Sequence, residues 1–214
     1  GTNYDGLYIN TNGNVTFGGS LSAFTPSGLT NPTANPIIAP YWADVDTGGG
    51  DPNTPTPGGT STGSNLIYYD LDTVNGVFTA TWDDVGYYSQ HNSPLNAFQL
   101  QLFDRGNGDF DIVFRYEDIN WTTGDASGGS GGLGGTVSRA GWNSGNGSDF
   151  FELGASGNQA SMLDLEDAAG NLDTGVWLFE VRGGAVSNGS GFDYTVSDGN
   201  GGFDTAHVNL DLLF

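Results

Sequence analysis

An all-β fold, an antiparallel β-sandwich with long glycine-rich loops and at most one short helix, is predicted by three observations. Apolar residues alternate with period 2 in several segments, which gives each segment one wet and one buried face. The 37 glycines in 214 residues argue against helix. Thirteen Phe, nine Tyr and five Trp argue against disorder and supply a sizeable core.

The segments support this one by one. Pro36 to Asp46 is an apolar strand ending in two aspartates. Phe78, Ala80 and Trp82 alternate with threonines, and Phe98, Leu100 and Leu102 with Gln99 and Gln101. Phe110, Ile112, Phe114 and Tyr116 alternate with Asp111 and Arg115, and Trp177, Phe179 and Val181 form a further set. Asp104 to Asp109 reads as a hairpin connection, and Asn12-Gly13 as a type I′ turn. Met162 to Ala169 has room for two helical turns, against which its acidic residues count. Thr47 to Ser64 and Asp125 to Gly135, dense in Gly, Ser, Thr or Pro, read as long loops. From Phe192 to Leu210 the alternation predicts a closing hairpin with its turn within Asp198 to Gly202.

Charge narrows the partners. Twenty-five acidic residues face four arginines and no lysine, for a formal net charge of −21. That field repels nucleic acid and anionic membrane surfaces and favours divalent cations. No apolar run is long enough to span a membrane. With no cysteine the chain has no disulfide to stabilise it, and the opening Gly1-Thr2-Asn3-Tyr4 points to a piece of a longer polypeptide.

Calcium takes oxygen ligands only, and two groups offer them. Asp44 and Asp46, at i, i+2 spacing on a strand, would send both carboxylates to one face, where they repel unless a cation or a proton compensates. The alternative is that they are polar strand ends bonding the following loop. Asp198, Asn200 and Asp204, around Gly199, Gly201 and Gly202, form the second group, with a plain hairpin turn as its alternative. Tyr87, Tyr88, Trp121 and Trp142 lie among Gly, Ser, Asn and Thr, where a ring can offer a flat face to a glycan or peptide, whereas Trp42, Trp82 and Trp177 read as core. Catalysis has little to build on. Asp83, Asp84 and His91 with Ser89 or Ser93 are not ordered as nucleophile, base and orienter, and two histidines without cysteine make a zinc enzyme improbable. Glu117 with Asp118, or Glu152 with Glu166, would serve as a glycosidase pair only across a cleft.

Six blocks in series carry a family resemblance. They are Tyr8 to Gly18, Pro36 to Asp46, Thr81 to Tyr87, Asn96 to Leu102, Tyr116 to Gly124 and Gly175 to Phe179. In this order and spacing, over residues 4 to about 182, the chain resembles the nidogen-like domain, a module of extracellular matrix and adhesive proteins. The resemblance implies adhesion and no catalytic residues. The closing segment resembles the terminal hairpin of cadherin-like or Ig-like repeats in bacterial adhesins of the RTX type. The implied organisation is a nidogen-like domain over residues 1–186 and a repeat hairpin over 187–214. The implied function is a non-enzymatic, calcium-stabilised adhesion module of a large secreted or cell-surface bacterial adhesin, monomeric within a multidomain chain. Its partner would be a protein or glycan of a host or neighbouring cell. A carbohydrate-binding module using exposed aromatics and calcium is the alternative.

Overall fold

The computed structural model describes residues 2–49, 54–55 and 59–187, with the backbone alone of residues 191–197 and 203–209. Two antiparallel sheets form a sandwich. The smaller is ordered β1 (Tyr8–Asn10), β2 (Asn14–Thr16), β3 (Ile37–Trp42), β9 (Arg139–Asn143) and β10 (Phe150–Glu152). The larger runs β12 (Ala185–Ser187), β11 (Val176–Arg182), β8 (Asp109–Ile119), β7 (His91–Gly106), β6 (Val77–Tyr87) and β4 (Val45–Asp46), with β5 (Leu66–Asp72) also paired to β6.

Strands β6, β7 and β8 form the centre of the larger sheet because their alternation is in phase. Trp82 lies opposite Phe98 and Ala80 opposite Leu100, while Phe98 and Leu100 face Tyr116 and Phe114 on the next strand. All of these point inward and are buried. Thr81, Gln99 and Arg115 occupy the other face. Trp82 stacks on Phe98 with ring centroids 5.1 Å apart. The polar tips of the buried aromatics are satisfied by the chain. The Tyr41 hydroxyl donates to the Trp121 carbonyl at 2.6 Å, that of Tyr116 to the Pro40 carbonyl at 2.6 Å, and the Trp82 indole to the Thr11 carbonyl at 3.0 Å. Strand β3 is buried along its whole length. Ile38 and Tyr41 join the sandwich core, whereas Ile37, Ala39 and Trp42 pack with Leu29 on the opposite side of the sheet. Its unbroken apolar run is the signature of a strand covered on both faces.

Several connections differ in detail from expectation. The β7–β8 hairpin turns through Asn107-Gly108 alone, with φ of 56° and 87°, a type I′ conformation tighter than the six residues expected. The first hairpin is not type I′. Three residues separate β1 from β2, and of Asn12 and Gly13 only Gly13 has positive φ, at 74°. A Cβ there would lie 1.8 Å from the Tyr41 carbonyl oxygen, so β3 passes against the turn only because the residue is glycine. The helix α1 spans Gln159–Leu163, earlier and shorter than expected, with the Asn158 side chain accepting from the Ser161 amide. Asp164, Glu166 and Asp167 fall past its end, where negative charge opposes the helix dipole. The tail pairs as expected: β13 (Gly191–Ser197) and β14 (Phe203–Asn209) form a two-stranded sheet with Ser197 opposite Phe203. Among the described residues neither strand pairs with the sandwich, neither with a sheet edge nor with the segment from Tyr4 to Asn10.

Candidate functional site

Several buried and half-buried carboxylates brace loops. Asp44 and Asp46 do not share one strand. The chain leaves the smaller sheet after Trp42 and enters the larger at Val45, so Asp44 sits in the corner between sheets and Asp46 at the start of β4. This corrects the premise of a single strand face. Asp46 accepts from the Gly48 amide at 2.7 Å and the Gln90 amide at 2.9 Å, one on each oxygen. The Asp44 carboxyl is 4 % exposed and packs on Gly124, whose Cβ, were there one, would lie 2.6 Å from Oδ2. Burial pushes it up, with repulsion from Asp46 and Asp125 adding and the Ala126 and Ser127 amides offsetting. Its Oδ2 has no hydrogen-bond partner among the described residues.

A second brace was not foreseen. Asp83, at the bulged end of β6, and Glu117 on β8 hold the segment Thr60 to Ser64. Glu117 accepts from the amides of Thr60 and Ser61, both at 2.7 Å, and from the Thr60 hydroxyl at 2.6 Å. Asp83 accepts from the Thr62 amide at 2.9 Å and the hydroxyls of Thr62 and Ser64 at 2.5 and 2.6 Å. Burial raises both carboxyls, but these bonds outweigh it and hold them below the usual range. The adjacent Asp84 behaves oppositely. Fully buried at φ 49°, it accepts from the Gly63 amide through Oδ2, while Oδ1 has no partner among the described residues. Burial raises it, as does repulsion from Asp83 and Glu117. Asp118 and Glu166 are likewise raised, by burial first and by neighbouring carboxylates after it. A hydroxyl-rich Thr-Ser-Thr-Gly-Ser run is a sequence signal for such a segment, but nothing in it points to acids some twenty to sixty positions away.

Among the described residues no three acidic or histidine side chains converge as metal ligands. Asp198 and Asn200 lie outside the described residues; of Asp204 only the β14 backbone is described. The four aromatics separate. Trp121, Tyr87 and Trp142 are 0, 2 and 8 % exposed, against expectation: Trp121 donates to the Val85 carbonyl and abuts Tyr41 and Tyr87, and Gly132 lies against both Trp121 and Tyr87. Tyr88 alone is exposed, at 46 %. Trp142 lines an open groove of about 410 Å³ with Phe150, Phe151 and Asp149. His91 stacks on Tyr87 and bonds Asp125 at 2.8 Å, and Glu152 is paired with Arg139 at 2.5 Å.

Fold and polar interior define a two-sheet β-sandwich in which Asp46, Asp83 and Glu117 hold its own loops. The nidogen-like domain family matches residues 5–183, and the chain belongs to that family. It is 34 % identical over 203 residues to alpha-tectorin of Mus musculus and equally to that of Homo sapiens, covering 89 % of this chain and 9 % of theirs. With nidogen of Drosophila melanogaster it shares 32 % over 196 residues, 85 % of this chain and 14 % of that protein. The chain thus spans about a tenth of the length of these relatives. No solved structure matches it.

Proposed function

We propose that the chain is a non-enzymatic adhesion or interaction module within a larger secreted or cell-surface bacterial protein of the RTX-adhesin type. The observation that carries this reading is the use of the acidic side chains: Asp46, Asp83 and Glu117 each accept from loop amides or hydroxyls, so that even in the open cleft that Asp83 and Glu117 line with Thr60 and Ser61 both carboxylates are engaged by the segment they hold. Kinship with alpha-tectorin and nidogen supports an extracellular setting. The lack of cysteine and the closing hairpin support the bacterial context. The test is adhesion of the purified chain to surfaces coated with extracellular proteins, beside turnover of model glycosides and esters. Saturable adhesion without turnover is expected; turnover lost in Asp83→Asn or Glu117→Gln would overturn the reading.

Calcium belongs to this proposal at the tail turn. Asp44 and Asp46 as placed do not fit a resident ion, which takes six to eight oxygens where they leave one carboxylate oxygen partnerless. Asp198, Asn200 and Asp204 supply three oxygen side chains around glycines in the sequence. Calorimetric titration of the whole chain should show calcium binding that vanishes in the double variant Asp198→Asn, Asp204→Asn; heat that persists there removes calcium from this turn.

Glycan binding is the second reading, favoured by the groove beside Trp142. A glycan array with the parent chain and Phe150→Ala decides it, since Phe150 is the 38 % exposed ring of that groove.

A further inference from the structure

Strand β5 is an edge with exposed residues on both faces, anchored to the core by the half-buried Ile67. It pairs with β6 along all seven residues, from Leu66 opposite Asp83 to Asp72 opposite Val77, with no register shift. Among the described residues no strand pairs with its other side. Residues directly opposite on antiparallel strands share a face. Tyr69 and Leu71, opposite Ala80 and Phe78, therefore lie on the core face of the sheet, yet they are 72 and 62 % exposed. On the outer face Leu66 and Tyr68 are about half exposed, and Val74 in the following turn is 91 % exposed. Five of the twelve exposed large hydrophobics of the described residues thus fall within nine positions, which marks this edge out from the rest of the surface.

Sheet edges are normally guarded by lysine, proline, a bulge or shortness, and β5 has none of these. Its charged residues are Asp70 and Asp72. Asp72 is taken up by the amides of Val74 and Asn75, whereas Asp70 is exposed on the outer face between Tyr68 and the turn. Around it the chain carries −21 with no lysine, and three of the four arginines are tied to Asp111 or Glu152. A second copy of this edge is repelled by that field and a cationic strand is drawn to it.

We propose that β5 docks an extended, cationic segment of a partner protein, added as a further strand of the larger sheet. The proposal rests on the interaction-module reading above and names its surface. Backbone hydrogen bonds along the open edge supply affinity. The alternation of a strand divides the labour: apolar side chains cover Tyr69 and Leu71 on the inner face, and Lys or Arg on the outer face meets Asp70 while its stem lies along Tyr68.

The probe is an acetylated nine-residue peptide alternating Val and Lys, titrated by fluorescence anisotropy into the whole chain. Saturable binding is expected, weakened about tenfold or more by N-methylation of alternate peptide amides, by Tyr69→Lys with Leu71→Lys, or by raised salt. Asp70→Lys should weaken it and reduce its salt dependence. Melting curves of the variants should match the parent, since the altered side chains are exposed. An equal affinity for a Val/Glu peptide, binding indifferent to all these changes, no binding, or self-association of the chain through β5 would each overturn the proposal. Adhesion is measured alongside. A chain that adheres but takes no peptide refutes the edge alone, and one that takes the peptide at β5 but does not adhere refutes the adhesion reading.

Discussion

Asp83 and Asp84 are adjacent aspartates in one brace, and their environments give them opposite effects on stability. Asp83 is held low by the bonds of Thr62 and Ser64, so its contribution is present above the ordinary aspartate range and is lost as pH falls through its lowered value. Asp84 is raised, so the folded chain holds its proton over a window above that range; stability falls as pH rises through the window, and the full cost of the buried charge is felt above it. Asp84→Asn keeps an acceptor for the Gly63 amide, tolerates φ 49°, and removes a charge that repels Asp83 and Glu117. Chemical denaturation should find this variant more stable than the parent at pH 7, with the advantage shrinking towards pH 4. Asp83→Ala should instead cost about 2 kcal/mol at pH 7, because the hydrogen bonds it loses go to a charged acceptor. Faster amide exchange at Thr62 and Ser64 would accompany it. A gain in stability for Asp83→Ala would remove the brace from the account.

At the scale of elements, β6, β7 and β8 hold the core, and Trp82 is its best-placed side chain. It is fully buried, stacked on Phe98 and bonded to Thr11 at the far side of the sandwich. Trp82→Ala should lose about 3 to 5 kcal/mol in equilibrium unfolding, a large share of what a domain of this size has. A variant that unfolds like the parent would mean that the ring does not face the core. These strands were legible in the sequence because each exposes one face, so alternation marks both the strand and its inner side. Strand β5 was not, because it has exposed residues on both faces and its apolar run carries no clean alternation. Strands β9 and β10 lack the length to be read: five residues broken by Arg, Gly and Asn, and three of sequence Phe-Phe-Glu, give no periodicity to count. The corner at Ala43-Asp44 was hidden for a different reason. A chain that moves from one sheet to the other in two residues keeps its apolar character throughout, so the sequence reads as one strand where the fold has two. Exposure of the aromatics was beyond sequence too, since what covers Trp121 arrives from segments distant along the chain.

For the whole molecule the question is whether the tail belongs to the sandwich. The family match ends at residue 183, and β12 closes the larger sheet at Ser187. Strands β13 and β14 satisfy each other over seven opposed pairs. Among the described residues the main buried apolar cluster of the sandwich is drawn from positions 15 to 181. A free energy set by that core does not depend on a hairpin whose backbone bonds close on themselves. Truncation after Ser187 should therefore leave a monomer that melts within about 2 °C of the whole chain, no more than the shift that 1 kcal/mol produces in a domain of this size. The same truncation should abolish the calcium heat assigned to Asp198, Asn200 and Asp204 while leaving peptide binding at β5 intact. Differential scanning calorimetry and sedimentation of the two lengths decide the first part. A truncated chain that associates or melts much earlier would show that the hairpin covers a face of the sandwich.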